Sequence, residues 1–326
     1  MFIYAGIDEA GYGPMFGPLL VGRAVVGVDQ LDAGAVPDLW QRLEMAVCRD
    51  LRHRRGRIVI NDSKKVYSPA TGLRRLEEGV LAFAALSGHR PQSLDQWLDM
   101  LGESRHHDLA ALPWYAPSHE QPWQQLPCAC AAGELAIALA MLRTTAKAAG
   151  VKVLDLGAAV VFEDHFNQML STTRSKAATT FTFVSRHLDT VWRRFGRCGP
   201  TVVVDRQSGR QHYRELLAQM FRGARLIVVD ESAQCSVYRL ESSQRRMIVK
   251  FEVEADCHHL PVALASMLSK YTRELLMARF QRWFGRRVPQ VKPTAGYARD
   301  ARRFWHQIEP MLAQLSIAPD QLRRRR

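Results

Sequence analysis

The chain contains no apolar run approaching the ~20 residues that cross a bilayer, and a soluble, globular protein without a membrane partner is expected. A basic leader followed by a small-residue cleavage site is also missing. The first apolar segment, from Phe2, runs straight into Asp8 and Glu9, so a cytoplasmic location is expected. Framework cysteine is absent too. Cys48, Cys128, Cys130, Cys198, Cys235 and Cys257 are scattered through 326 residues, which suits reduced thiols better than a disulfide scaffold. Only Cys128-Ala-Cys130 has a spacing that zinc or redox chemistry could use, and without a second pair it reads as two ordinary thiols. Acidic excess is lacking as well, because 45 Lys and Arg against 32 Asp and Glu give a net charge of +13. That balance points to a polyanionic partner, although basic surface alone does not separate DNA, RNA, ribosome or anionic lipid.

What is present is ordinary globular composition, 47% hydrophobic and 24% charged, in a length that suggests about two domains. The basic residues cluster at 52–65, 193–197, 206–225, 245–250 and 279–303, with Arg323 to Arg326 at the end. The stretch that organises the rest is Phe2 to Pro14: a short apolar strand delivering Asp8 and Glu9, then Gly11-Tyr12-Gly13-Pro14. Two adjacent carboxylates at a strand end repel each other and lose solvation, so a cation should relieve them. Hard divalent metal is the obvious candidate. The glycines would let backbone N–H groups approach a phosphate or ribose. In isolation such a motif is more often a solvated acidic turn.

The spacing predicts a second strand over 18–28, paired to the first as a hairpin, and a helix over 36–53. A strand at 58–60 runs into Asn61-Asp62-Ser63-Lys64-Lys65, whose hydroxyl and two ammonium groups would grip a phosphate or else simply be solvated surface. Ser68 then caps a predicted helix over 69–86. Residues 88–127, with Trp97, Trp114, Trp123, five prolines and several histidines, read as an irregular excursion with short helices. Its aromatic residues could stack on bases, and more often such residues pin a loop down. A helix over 131–149 follows, with Met141 and Leu142 on its apolar side. Strands are expected at 158–162, 200–204, 226–229, 238–241 and 247–255, with helices from 163 to 193, from His212, along Val262 to Met277, and after Tyr297. Strands close together at first and later alternating with helices argue for an α/β sheet with helices on its faces.

Three strand ends thus carry acids: Asp8 with Glu9, Asp205 and Asp256. If those strands are neighbours, four carboxylates converge, and they match two divalent cations that clamp the attacking and leaving oxygens of a phosphodiester displacement.

Read together, these motifs resemble the type 2 ribonucleases H, the HII and HIII enzymes. Gly6-Ile7-Asp8-Glu9-Ala10-Gly11-Tyr12-Gly13 is similar to the family's G-[IV]-D-E-x-G-x-G signature, and Asp62-Ser63-Lys64-Lys65-Val66 to its D-S-K-K-L segment. Asp164-His165-Phe166-Asn167 resembles its D-x-x-N helix start, Val203-Val204-Asp205 its third-carboxylate strand, and Gly296-Tyr297 its late Gly-Tyr. Ala255-Asp256, followed by Ser266, Lys270 and Arg273, is similar to its strand-acid-helix block.

The resemblance implies a ribonuclease H-like fold, a mixed central sheet flanked by helices. It implies a catalytic core over 1–87 and 156–275, an irregular and helical insertion over 88–155, and a basic helical region over 276–326. Asp8, Glu9, Asp205 and Asp256 would be the catalytic residues and the ligands of two divalent cations, Mg²⁺ or Mn²⁺. Gly11, Tyr12, Gly13, Ser63, Lys64, Lys65 and Tyr297 would bind substrate, an RNA/DNA hybrid or ribonucleotide-containing duplex DNA, in a monomeric endonuclease giving 5′-phosphate products. Tyr12 stands where the family usually has Arg or Lys, and the Thr and His expected after Tyr297 are absent. A hybrid-binding protein without catalysis, or a nuclease acting on DNA, remain alternatives on the same fold.

Overall fold

The computed structural model describes residues 1–29, 36–102, 109–206 and 209–325. His106 and His107 of the irregular stretch, residues 207–208 of one basic run and Arg326 of the arginine end lie outside them. Strand β1 (Phe2–Ala10) pairs antiparallel with β2 (Leu19–Val28), as the hairpin reading expects. Next come α1 (Leu39–Arg42), the short parallel pair β3 (Val47–Cys48) and β4 (Ile58–Val59), α2 (Ser63–Val66), α3 (Arg74–Leu86), α4 (Leu94–Leu101) and α5 (Ala132–Ala148). Strand β5 (Val151–Val161) returns alongside β2. Helices α6 (Glu163–Thr173) and α7 (Lys176–Phe195) lead to β6 (Thr201–Asp205), which runs parallel to β1. After α8 (Arg214–Met220), β7 (Arg225–Glu231), β8 (Cys235–Glu241) and β9 (Arg246–Glu252) form a meander whose last strand lies parallel to β6. The chain closes with α9 (Ala255–His258), α10 (Leu260–Arg287), α11 (Ala298–Ile308) and α12 (Pro319–Leu322).

The result is the expected α/β architecture: a seven-stranded mixed sheet in the order β5-β2-β1-β6-β9-β8-β7, with helices on both faces. Side chains alternate across it. Ile3, Ala5 and Ile7 of β1, with Val202 and Val204 of β6, face a core shared with α7. Tyr4 and Val203 face the other core, built on α10. Helix α10 lies almost on the strands because β1 and β2 meet it with glycine: a Cβ at Gly6 would stand 2.1 Å from Val262 N, and one at Gly22 would stand 2.5 Å from Ala265 O.

Helix α10 is buried nearly all round, where the stripe from Val262 to Met277 suggested a helix with a solvent side. The covering comes from the 88–127 stretch. Trp97 is fully buried, packs edge-on against Tyr271 and donates its indole N–H to Thr272 Oγ1 at 2.8 Å. Trp114 is fully buried against Phe280, Trp283 and Phe284. These two tryptophans pin the excursion down.

Several expected elements need correction. The helix over 36–53 is the single turn α1, capped by Asp38 and followed by strand β3, because Trp40 donates to Ile60 O at 2.8 Å and ties the segment to β4. Ser68 caps nothing. It closes a turn with Thr71, and the following helix starts at Arg74. The helix over 163–193 breaks at Arg174, whose φ of 51° is left-handed, and Ser175 caps its second half. Met141 lies on the exposed side of α5, whose buried positions are Ala138, Leu142 and Ala146. All six cysteines are free thiols.

Candidate active site

Gly6 pairs with Val203 and Ile7 with Val204 across β1 and β6, so one residue further on Asp8 and Asp205 stand side by side. By strand alternation both follow Gly6 and Val203 onto the α10 face, and Glu9 turns to the other side of β1. Strand β1 continues to Ala10, which puts both acids inside the strand and not beyond its end. Asp256 reaches the same place from α9, one turn past β9. Glu254, at a left-handed φ of 53°, swings the chain round, and Asp205 Oδ1 fixes the turn by accepting the Ala255 N–H at 2.9 Å.

The electrostatics follow from this crowding. Asp8 is buried, and its carboxyl is held well above the usual carboxylate range by burial, then by Asp205 and Glu9. A hydrogen bond with Ser266 opposes the shift, and Asp256 adds to it. Burial also pushes Asp205 up to about 7, opposed by the Ala255 amide and reinforced by Asp256 and Glu9. Asp256 is raised by burial and then by the charge of Asp62, with which it shares a hydrogen bond. Asp62 is therefore a fifth acid of the cluster. It caps α2 by accepting the Lys64 N–H at 2.9 Å. Burial alone would lower the Lys64 pKa, yet it is raised, because Asp62, Asp8, Asp256 and Asp205 all act on the ammonium.

The other expected residues are distributed unevenly. Ser63 is buried behind Asp8, accepting a hydrogen bond from Ser266 at 3.1 Å. Lys65 donates to Cys257 Sγ at 3.0 Å, and that bond, then the charges of Cys257, Asp62 and Asp256, raise its pKa against the lowering effect of burial. Gly11 is buried with its carbonyl held from beneath by Arg324, and Gly13 is exposed, with nothing within 4 Å of where a Cβ would be. Tyr297 is 43% exposed at the start of α11, its ring 5.2 Å from the Arg273 guanidinium carbon. Gly296 O accepts the Met15 N–H at 2.7 Å, so Tyr297 sits beside the glycine turn.

Among the described residues, no three His, Cys, Asp or Glu side chains are arranged to close on a single ion. The donor chemistry nonetheless fits a hard divalent cation. The donors are carboxylate oxygens crowded together: Asp205, Glu9 and Asp256 raise Asp8, Asp256 and Glu9 raise Asp205, and Asp62 raises Asp256.

No protein-family model and no curated protein matches the sequence. Among solved structures, the chain is similar to the RNase HII of Archaeoglobus fulgidus in its complex with PCNA, at 15% identity and a TM-score of 0.42 over 97% of this chain and 90% of that one. It is similar to ribonuclease H2 from Pyrococcus horikoshii, at 14% identity and a TM-score of 0.40 over 98% and 92%. The figures for Bst-RNase HIII in complex with Mn²⁺ are 14% and 0.40, over 99% of this chain and 66% of that one.

Sequence reasoning missed Asp62 as a member of the acid cluster, and it missed the residues under the turn, Glu163 and Arg324. For Asp62 a signal was available: an Asp directly before Ser-Lys-Lys is a helix cap, and a cap on α2 must face the end of the neighbouring strand.

Proposed function

We propose that the chain is a metal-dependent endoribonuclease that hydrolyses the RNA strand of RNA/DNA hybrids, or ribonucleotides within duplex DNA, leaving 5′-phosphate and 3′-hydroxyl ends. The observation that carries the reading is the meeting of Asp8, Asp205 and Asp256, from three segments far apart in sequence, in one mutually repelling cluster on the α10 face. The order and residues of the type 2 ribonuclease H motifs support it.

On this reading Asp8, Glu9, Asp205 and Asp256 hold two Mg²⁺ or Mn²⁺ ions, which when bound supply a water of lowered pKa and neutralise charge on the scissile phosphate. The chain's own groups do the rest. Sheet pairing and the Ala255 amide fix Asp8 and Asp205, so little rearrangement is left for the moment of reaction. Lys64 keeps a cation over the acids for an incoming phosphate. The Gly11-Tyr12-Gly13 backbone meets the ribose 2′-OH, the group that tells RNA from DNA, and the Tyr297 ring stacks beneath a sugar. The core is formed by 1–87 and 156–275, with 88–155 added to it, in a monomer of the cytoplasm.

Cleavage mapping tests this on three duplexes of one sequence: an all-RNA strand on DNA, a single ribonucleotide in DNA, and all-DNA. Metal-dependent cuts confined to ribonucleotide positions are expected. Equal cutting of the all-DNA duplex, or none of the three cut with either metal, would overturn the assignment.

A further inference from the structure

A second polar centre, used by none of the steps above, lies under the 11–17 turn. Arg324 arrives from the segment after α12, is 3% exposed, and donates from Nη2 to Gly11 O and Pro14 O, both at 2.6 Å. Its backbone N–H donates to Met15 O at 2.9 Å. Asn167 of α6 anchors the segment, donating to Asp320 O and Arg323 O at 2.8 Å and accepting the Arg325 N–H at 2.7 Å. Beside it, buried Glu163 accepts the Gly17 N–H at 2.8 Å, and buried Arg273 donates to Phe16 O at 3.0 Å.

This guanidinium is costly as a purely structural element. Its Nε and Nη1 find no acceptor among the described residues, and a buried donor without a partner is unfavourable. Burial and the neighbouring Arg273 pull its pKa down to about 10, so it remains charged at neutral pH. A methionine would fill the same space without that penalty. What a methionine could not supply is the grip of the two Nη2 N–H groups on two carbonyls of the turn at once. A trans peptide points its C=O and N–H in opposite directions. With Gly11 O held by the guanidinium, the Tyr12 N–H of the same peptide plane faces away from it.

We propose that Arg324 is a positioning residue, which holds the peptide planes of the 11–15 turn so that the turn presents its amides to a nucleic-acid backbone. The inference rests on the proposed function for the identity of that ligand. It assigns to a buried guanidinium reaching the turn from beneath the ordering of a loop whose own variable position is the neutral Tyr12.

The test uses Arg324→Met and Arg324→Lys in the full chain, with Arg323→Ala as a control; Arg323 lies over the Trp305 ring, 4.1 Å away, in the same segment. Binding of a short RNA/DNA hybrid and of the same sequence as DNA duplex is read by fluorescence anisotropy in EDTA, and backbone exchange by hydrogen–deuterium mass spectrometry. Both Arg324 variants should lose about tenfold in hybrid affinity, as expected for charge-assisted hydrogen bonds, with the DNA duplex little affected and faster exchange confined to 11–17. Arg323→Ala should weaken both duplexes alike. If Arg324→Met does not fold, Arg324→Lys, which keeps the charge on a shorter side chain whose ammonium falls short of the Nη2 position, decides. Wild-type hybrid preference in the folded variant, or faster exchange spread over the whole sheet, would overturn the proposal. If the wild-type chain shows no hybrid preference, the proposed function fails, and exchange at 11–17 still decides whether Arg324 orders the turn.

Discussion

Two charged clusters sit back to back on one sheet, next to each other on β2. At Gly22 the strand faces α10 and the acids, and at Arg23 it faces α7. On the α7 face the Arg23 cluster answers its own charges. Arg23 donates from Nε to Asp155 at 2.7 Å, and Arg194 donates to the same carboxylate at 2.5 Å. Arg23 Nη1 stands 2.6 Å from His187 Nδ1, and His187 Nε2 stands 2.8 Å from Val21 O. Those partners fix the neutral tautomer, with the proton on Nε2, and burial, then Arg23, lowers the His187 pKa to about 3. On the α10 face Asp8, Asp205, Asp256 and Asp62 crowd together, with only the Lys64 and Lys65 ammonium groups acting against them. A self-satisfied cluster holds a fold together, and a cluster that leaves its charges unanswered asks for something from outside.

The largest effect should come from Asp8→Asn. Hybrid cleavage should fall by on the order of 10³, as when a preorganised charge is removed from a reaction centre, with binding retained and the metal-free fold more stable, since one of the repelling acids is gone. A variant that cuts at the wild-type rate would erase the functional half of the contrast. Arg23→Met should do the opposite. It leaves Asp155 and His187 partly unanswered and should cost about 3 kcal/mol in chemical denaturation, with the cleavage rate of the folded fraction unchanged. Lys64→Ala should come next, with about tenfold weaker hybrid binding that converges on wild type in high salt, because Lys64 acts as a point charge.

The sequence made the acid side of this contrast readable and left the other side hidden. Asp8 and Asp205 each follow an apolar run, and the register of adjacent parallel strands brings them side by side, while Asp256 joins them from the turn of helix after the alternating strand β9. Arg23 in the middle of β2 carried no signal of its own, since its partners come from β5 and α7, 132 and 164 residues away. The same distance hid Arg324, 313 residues from Gly11. Periodicity also misled where tertiary bonds compete with it. Leu39, Trp40, Leu43, Met45 and Ala46 have helical spacing, and all but the exposed Met45 are buried, yet the chain leaves the helix after Arg42 to pair β3 with β4. Spacing reports which residues are buried, and the hydrogen bonds of neighbouring segments decide in which conformation.

The smallest effect is a pair of opposed pH slopes in the metal-free protein, and it separates the two clusters without any substrate. Asp205 is raised from 3.8 to about 7, so the folded chain keeps a proton that the unfolded chain has already lost. Its contribution is full below 3.8 and is lost as pH rises through about 7. His187 is lowered from 6.5 to about 3, so the unfolded chain takes up a proton that the folded chain refuses. Its contribution is full above 6.5 and is lost as pH falls toward 3. Between these limits the two slopes oppose each other. Asp205→Asn removes the Asp205 share of the falling limb, to which Asp8, Asp256 and Glu163 also contribute, so its midpoint should fall less steeply with pH than that of the wild type. His187→Gln removes the other limb, and its midpoint should fall over the same interval. Parallel curves for both variants would mean that the two faces of the sheet do not carry the opposite charge imbalances described here.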